Sequence, residues 1–448
     1  MFDNLKTVLK SKNARSKLLI TFILLLIVRL LVNFPTPGIN RDMISVWANS
    51  KEMQAFGFMD VFSGNTMENV AIGAIGITAY INASIIIQLL TVAIPYLNNL
   101  TKQGKEGTDK IKKITFFFSL GIATMQAVFF ALRFHNYGML ANGWKSGILV
   151  VISLVIGAML IYGIANLIDK KGIGNGVSFV IGINIASGLY QTFGTIYQMF
   201  IQGQPIAKGI LSAVVTLTFI GLSMYFIIYY SNGEKRIGVT YPGSNRYTNA
   251  SKTYLPIKPS MCGVMPAIMT VSFFSLIAAL PMIFNMGDIP TKIMRVFSTD
   301  AWFDFHGWNI LYNIGVVFYV LMIIFCTYVY SNISFNPQQV ADNLRLNGGI
   351  INGIRQDKMA KEIERQMENS LLLGGIGMSI IMLVPIIISK AINVTALSIG
   401  GTSLIILVSV ATELSKKIMA DAKIESDAKI SFRGKGRKLN VKTYKERN

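Results

Sequence analysis

Few side chains in this sequence have the types and spacing that chemistry requires. The two cysteines, Cys262 and Cys326, lie near or within apolar runs without metal-ligating neighbours, which is typical of thiols that pack as small apolar groups. The two histidines, His135 and His306, lie at the ends of apolar runs without a catalytic partner. There is no P-loop, no H-E-x-x-H motif and no nucleophile elbow. The sequence therefore argues against an enzyme and predicts no cofactor, so any energy must come from a partner.

Carboxylates inside the membrane commonly couple solute movement to protons or sodium ions. In this chain every carboxylate lies in a loop, near the end of an apolar run or within residues 60–76. Arg29 is the main basic residue inside a run, and it is late enough for its side chain to reach the membrane interface. The pattern argues against a secondary solute transporter with inverted repeats, which stays the alternative function.

The elements that would position these residues are membrane-spanning helices. Hydrophobic residues make up 52% of the chain and charged residues 14%, with a mean hydropathy of +0.50. A spanning helix needs about 20 mostly apolar residues. Apolar runs of this kind lie at 18–34, 78–97, 114–134, 147–168, 176–196, 207–230, 261–284, 309–330, 371–390 and 396–414. We therefore expect an all-α polytopic membrane protein with ten transmembrane helices.

Basic residues indicate the orientation. An even number of spans puts both termini on one side, and alternate assignment of the loops places 33 of the 42 lysines and arginines there. Basic residues favour the cytoplasmic side, so we expect a multi-pass protein of the cell membrane with both termini in the cytoplasm. The basic tail at 415–448 is either a solvated segment near anionic lipid or a contact for a ribosome or another acidic partner.

Residues 60–97 differ from an ordinary spanning helix. The segment begins with polar residues and glycines, including Asp60 and Glu68, and only then reaches the apolar run 81–90. Polar or irregular backbone at membrane depth is tolerated only where protein or a water-filled cavity surrounds it. We therefore expect the first half to lie inside the protein against an aqueous space, which predicts a pore.

Some runs carry several polar side chains, namely Asn82, Ser84 and Gln88 in one and Asn184, Ser187 and Gln191 in another. Such residues often only mediate helix packing in membranes. Their accumulation in particular runs favours a channel with these runs at its centre. The more apolar runs 18–34 and 371–390 are expected to face lipid.

Two long loops on the expected cytoplasmic side, 231–259 and 331–367, exceed what a simple connection needs. The first has the aromatic and β-branched residues of a protruding hairpin, and the second combines a proline, paired glycines and mixed charges. Either loop alone is consistent with a plain connector or a disordered segment. Two such projections on one face favour a docking platform.

Several short motifs together resemble one known family. They are FPTPGIN (34–40), FSGN (62–65), ASIIIQLL (83–90), KQGKEG (102–107), GIGNG (172–176), LPIKPSMCGVMPAI (255–268), FNPQQVADNL (335–344), GGIINGIR (348–355) and GGTSLIILV (400–408). In this order and spacing the chain resembles the SecY family, the central subunit of the protein-translocation channel, from the N-terminus to about residue 415.

The resemblance implies ten helices in two pseudo-symmetric, inverted halves around a central hourglass pore. The halves correspond to 18–200 and 201–414, between a cytoplasmic N-terminal segment at 1–17 and the tail at 415–448. In this family the second helix is split, and its first piece is a plug half-helix that fills the outer funnel. The plug corresponds to about 60–75, with matching residues Phe62, Ser63, Gly64, Asn65 and Gly73.

The family also has a constriction, a ring of apolar residues that limits ion leak by dewetting while an extended chain passes. The matching positions are Ile81, Ile85, Ile181, Ile185, Ile268 and Ile406. Without the resemblance, the i,i+4 pairs among them indicate only core packing. The helices near 78–97, 114–134, 261–284 and 309–330 would form a lateral gate. Gln126 either lines that gate or bonds a neighbouring helix.

The implied partners are SecE-like and SecG-like small membrane subunits, the SecA motor ATPase, the ribosome, an unfolded preprotein with its signal peptide, and membrane lipids. In this family the two long loops bind the ribosome or SecA. The matching docking residues are Arg355, Lys235 and Arg236, although a surface arginine is ordinarily only solvated. Gln356 and Asp357 stand where the family usually has Pro-Gly, so the docking face departs from the pattern.

The expected function is a passive channel that translocates unfolded polypeptides across the cytoplasmic membrane and inserts membrane segments laterally. A solute transporter is the alternative from another class. A membrane insertase or scaffold without a through-pore is the third possibility.

Overall fold

The computed structural model describes residues 12–48, 60, 62–64, 66–200, 218, 221–240, 254–258, 265–283, 295–298, 301–303, 311–351, 353–392, 403, 406–412, 414–415 and 418. Asn65, Cys262, His306 and nearly all of the basic tail lie outside these residues. So do parts of the predicted spans 207–230 and 396–414.

Helices dominate the described chain. The first half contains α1 (Lys12–Asn33), α2 (Ile44–Ala48), α3 (Thr78–Ala93), α4 (Pro95–Lys102), α5 (Gly104–Asn136), α6 (Trp144–Lys171) and α7 (Gly176–Phe200). The second contains α8 (Met265–Ile283), α9 (Ile314–Ser334), α10 (Pro337–Leu346) and α11 (Met359–Ile392), with further helical residues at 221–232 and 406–412. Short 3₁₀ turns lie at Arg41–Met43, Arg295–Phe297 and Gln356–Lys358.

Five helices of the described chain are long and apolar enough to cross a membrane, judged by length and composition alone. They are Arg15–Asn33, Glu106–Asn136, Trp144–Lys171, Leu311–Leu346 and Gln356–Ile388. The bent pair Thr78–Thr91 and Pro95–Thr101 makes a sixth if it counts as one span. Shorter apolar helices occupy Gly176–Gly188 and Met265–Ser275. The architecture is that of an all-α polytopic membrane protein, and the number of ten spans stays a prediction.

The run predicted at 78–97 is broken within the structure, with a bend of 103° between its two helices. Ile94 is extended (φ −104°, ψ 114°), and Pro95 is the first residue of α4. A proline disfavours helical backbone in the residue before it and lacks the N–H that a continuing helix would use. The first helix therefore ends at Ala93, before the end of the predicted run.

The helix α3 joins the two halves, because it packs against α5 of the first half and against α8 and α9 of the second. Around it, α6 packs against α1, α5 and α7, and α9 packs against α8 and α11. The largest buried hydrophobic cluster accordingly draws residues from both halves.

The two most apolar runs differ in burial. In α1 only 17% of the most apolar stretch is buried, as expected of a helix that faces lipid. In α11 the share is 50%, so one face of this run is exposed, as expected for contact with lipid, and the other packs within the protein. Gly375 brings α11 so close to α9 that a β-carbon there would lie 3.1 Å from Ile324 Cγ1. Apolar composition alone does not separate contact with lipid from close helix packing.

Three short strands form a sheet in the order β2-β1-β3, namely β1 (Lys235–Thr240), β2 (Tyr254–Ile257) and β3 (Ile350–Ile351). The antiparallel pairing of β1 with β2 confirms the hairpin predicted in 231–259. The pairing of β3 with β1 was not predicted, and it joins the two long loops. Their shared core consists of Val239, Ala341, Ile351, Met359 and Ile363. We call the unit of β1–β3, α10 and the first turns of α11 the loop module.

Candidate plug and pore

Residues 60–77, called the plug segment below, are compact and mostly irregular. The described part is helical at residues 60, 62 and 63 and continues in turns, and α3 begins only at Thr78. Gly64 (φ 84°), Val70 (φ 48°) and Gly76 (φ 54°) have backbone conformations that interrupt a right-handed helix. The segment is nevertheless almost entirely buried within the protein. The expected aqueous surroundings are replaced by packed side chains.

Hydrogen bonds within the plug segment satisfy its polar groups. Oδ1 of Asp60 accepts from the N–H of Met67 at 2.7 Å and from Oγ of Ser63 at 3.2 Å. Oγ1 of Thr66 donates to the carbonyls of Ser63 at 3.3 Å and Gly73 at 3.2 Å. Buried polar groups are destabilising unless they are bonded. These bonds explain how a polar sequence can fill the protein interior.

Asp60 is the buried titratable group of this segment, with an exposed fraction of 5%, and it lies outside the spanning helices. Burial raises the pKa of Asp60 to about 7. The hydrogen bond from Met67 opposes this shift, and the neighbouring charge of Glu68 adds to it. The protonation of one carboxyl is therefore linked to the packing of the segment.

Three elements of the first half hold the plug segment. The N–H of Ile72 donates to the carbonyl of Phe34, after α1, at 2.8 Å. Nε1 of Trp47, on α2, donates to the carbonyl of Met67 at 3.0 Å. On α6, Gly157 allows a close approach, since a β-carbon there would collide with the carbonyl of Ile72. No motif or spacing in the sequence predicts these long-range contacts.

The structure brings the six predicted ring isoleucines into one buried hydrophobic cluster. They come from α3, α7, α8 and the helix at 406–412, and each is at most 6% exposed: Ile81, Ile85, Ile181, Ile185, Ile268 and Ile406. Phe62 of the plug segment belongs to the same cluster. One continuous buried cluster therefore contains these aliphatic side chains of four helices and Phe62 of the plug segment.

Two polar side chains that the sequence does not connect with the plug also contact the plug segment. Nδ2 of Asn184, on α7, donates to the carbonyl of Phe62 at 2.9 Å. Nη1 of Arg29, on α1, lies 2.8 Å from the position that a β-carbon on Gly64 would occupy. The prediction that Arg29 reaches the membrane interface was wrong, because Nη1 is buried here. For Asn184 the available signal was its position next to Ile185.

The four helices predicted for the lateral gate correspond to α3, α5, α8 and α9, and α3 contacts the other three. Gln126 lies on α5 with an exposed fraction of 8%. Its Oε1 accepts no hydrogen bond within the part of the chain that the structure describes. Its role at a gate stays a prediction.

The predicted docking residues, Lys235, Arg236 and Arg355, are all exposed on the loop module. Nε of Arg236 donates to Oε1 of Glu234 at 2.8 Å, and the guanidinium lies 4.7 Å from the ring centre of Tyr254. The hydrogen bond from Arg236 lowers the pKa of Glu234. Arg355 lines a groove of about 730 Å³ that also carries lysines and glutamates of α11. The three residues thus share one folded unit, but Arg236 already has partners within it.

Known proteins resemble this chain along most of its length. The family model SecY matches residues 71–415. The protein translocase subunit SecY of Bacillus licheniformis is 30% identical over 433 residues, which cover 93% of this chain and 96% of that protein.

Solved structures share the fold at lower identity. One shows the plug domain of the SecY protein, which stabilises the closed state of the translocation channel; it has a TM-score of 0.63 and 16% identity, covering 92% of this chain and 93% of that one. Sec61 in the canine ribosome-channel complex has a TM-score of 0.61, with the same identity and coverage. By its family model, its relative and its helical multi-pass fold, this membrane protein belongs to the SecY family.

Proposed function

We propose that the chain is a passive protein-conducting channel of the cytoplasmic membrane, sealed by the six ring isoleucines and closed by residues 60–75. As a member of the SecY family it is a translocation-channel subunit and not an enzyme. The observation that carries the proposal is the buried hydrophobic cluster that contains the isoleucines of α3, α7, α8 and 406–412 together with Phe62.

The composition of the ring suits a seal that must open. Aliphatic side chains offer no hydrogen-bonding partner to ions or water, so a narrow ring of them excludes ions by dewetting. Such side chains can move apart around an extended polypeptide without breaking polar bonds. One ring of aliphatic side chains can therefore exclude ions at rest and still let an extended polypeptide pass.

A lateral exit is proposed between α3 and α5 on one side and α8 and α9 on the other. The contact of α3 with both helices supports this, because their separation would open the pore towards lipid. Apolar segments of a substrate would then partition into the bilayer. Gln126 is proposed to line this route, since its buried Oε1 has no partner among the described residues.

Deletion of residues 60–75 tests the plug, using the channel assembled with its native small subunits in planar bilayers. A plugged channel should conduct ions without substrate after the deletion, because only the ring is left to hold the seal. A carrier or a scaffold has no through-pore and should conduct no more than the intact chain. No increase in conductance after the deletion would contradict the assignment of residues 60–75 as the plug.

A disulfide crosslink tests whether the plug lies on the substrate path. In a chain with Cys262→Ser and Cys326→Ala, we expect Ser63→Cys to form a disulfide with a single cysteine in a preprotein halted during translocation. Ser153→Cys on α6 is the matched control and should stay uncrosslinked, because its hydroxyl bonds only within its own helix. Equal crosslinking at both positions would contradict the proposed path.

The loop module is proposed as the docking site of the driving partner, either SecA or a ribosome, with SecE-like and SecG-like subunits around the helices. The excess of lysine and arginine on one side supports a cytoplasmic location for this module and both termini. Arg355 is the stronger docking candidate, because it is exposed and lines the groove, whereas Arg236 is engaged with Glu234 and Tyr254.

Reversal of one charge tests the docking site. Arg355→Glu should weaken binding of SecA or ribosomes to the reconstituted channel on the order of tenfold, since like charges at an interface rim repel. Lys112→Glu, at an exposed position of α5 outside the module, should leave binding unchanged. Equal affinities of the Arg355→Glu and unchanged channels would exclude this docking site.

A further inference from the structure

Two polar side chains from different helices meet the same part of the plug segment. Nδ2 of Asn184 donates to the carbonyl of Phe62 at 2.9 Å. Nη1 of Arg29 lies 2.8 Å, and Cβ and Cγ of Asn184 lie 3.2 Å, from the position that a β-carbon on Gly64 would take. A single short stretch of plug backbone therefore covers both side chains.

Asn184 makes a bond that depends on the plug being in place. Its side chain is fully buried, and the carbonyl that it binds belongs to the plug segment. Without this donor, the Phe62 carbonyl would lose a partner inside the protein, which destabilises the closed arrangement. The Oδ1 atom of the same side chain is buried without a hydrogen-bond partner among the described residues, so the preference of Asn184 for closure rests on the Nδ2 bond to Phe62.

Arg29 is in the opposite situation. Its Nη1 is buried against Gly64 and has no hydrogen-bond partner among the described residues. The described carboxylates, including Asp60 and Glu68 of the plug segment, make no ion pair with it. A guanidinium N–H held away from water without an acceptor is unfavourable. Departure of the plug would let water reach Nη1, so Arg29 favours opening.

We propose that Asn184 and Arg29 are opposed positioning residues that set how readily the plug leaves: Asn184 retains it and Arg29 promotes its release. This inference rests on the proposed role of residues 60–75 as the plug. It gives the closed state a limited stability, as a channel needs if an arriving polypeptide is to displace the plug.

Substitutions of the two residues are expected to change the resting open probability in opposite directions. Simple packing roles would not predict this difference. If both side chains only filled space, each substitution would loosen the plug and raise the resting conductance. Under the proposal, Asn184→Leu, which has a similar volume but no donor, raises the resting open probability about fivefold. Arg29→Met, which keeps length but removes the charge, lowers it about tenfold.

The experiment uses the complete channel in planar bilayers without substrate. Arg29→Met is measured in the Asn184→Leu background, where the conductance is high enough for a decrease to be seen. Arg29→Lys keeps the charge and should behave like arginine in that background. Ser187→Ala, one turn along α7, is the matched control and should change nothing, because its hydroxyl donates only to the carbonyl of Asn184 in its own helix.

A rise in conductance on Arg29→Met, or no rise on Asn184→Leu, would overturn the proposal. The deletion of 60–75 separates this failure from failure of the plug itself. If the deletion raises conductance while the two variants change it in the same direction, the assignment of 60–75 as the plug is supported and the opposed roles of Asn184 and Arg29 are contradicted. If the deletion has no effect, the plug assignment falls first.

Discussion

Gly64→Ala should leave the channel leaking ions at rest, roughly 10- to 100-fold above the unchanged protein, because alanine does not fit the closed plug. Gly64 has φ 84°, a conformation that costs about 1–3 kcal/mol for other residues when it is imposed. The added β-carbon would also lie 2.8 Å from Nη1 of Arg29 and 3.2 Å from the Asn184 side chain. Both effects act on the closed state only if the plug moves during opening.

Two matched glycine variants separate these effects. Gly73→Ala adds a methyl group within the same segment, but its nearest neighbours would be 3.4 Å away and its φ lies outside the left-handed region, so we expect an unchanged resting conductance. Gly138→Ala imposes the left-handed strain (φ 68°) outside the plug segment, with nothing within 4 Å of the added β-carbon. Its conductance should also be unchanged. A tightly sealed Gly64→Ala channel would mean that the plug is not held in the observed conformation.

Much of the helical architecture could be predicted from the sequence, because bilayer-length apolar runs leave few alternatives to a helix. The runs at 114–134 and 147–168 lie within α5 and α6, and the hairpin in 231–259 was recognised from its residue types. The break before Pro95 could also be predicted from the sequence, since proline disfavours helical backbone in the residue before it. Each of these features depends on residues that are close in sequence, so a local sequence pattern is enough to predict it.

The contacts that organise the plug could not be predicted in this way, because they join residues that are distant in sequence. Asn184 meets Phe62 although 122 residues separate them in the sequence, and nothing near either residue specifies the other. The two-residue strand β3 is too short to show a period, and only β1 makes it a strand. The position of Arg29 in its apolar run predicts a side chain that extends to the interface. Its burial against Gly64 depends on tertiary packing, which the local sequence does not show.

Raising the pH should loosen the plug, because the Asp60 carboxyl keeps its proton while it is buried but ionises once water reaches it. Its pKa is about 7 in the closed structure, against an ordinary value of 3.8 once water reaches it. Between these values the buried group keeps a proton that the hydrated group loses. The free energy favouring closure is therefore fully present below the lower value and is lost as the pH rises through about 7. The loss is about 1.4 kcal/mol per pH unit within that window, or about 4 kcal/mol in all.

Resting conductance measured from pH 5 to pH 8.5 tests this linkage, and it should rise with pH up to about 7.5 and then level off. Asp60→Asn keeps an oxygen for the N–H of Met67 but has no proton to lose, so its conductance should be low and independent of pH. Glu68→Gln should keep most of the pH dependence, because burial and not Glu68 is the main cause of the shift. If Asp60→Asn retains the original pH profile, the titrating group lies elsewhere. If Glu68→Gln alone abolishes the profile, repulsion between two carboxylates and not burial governs the plug.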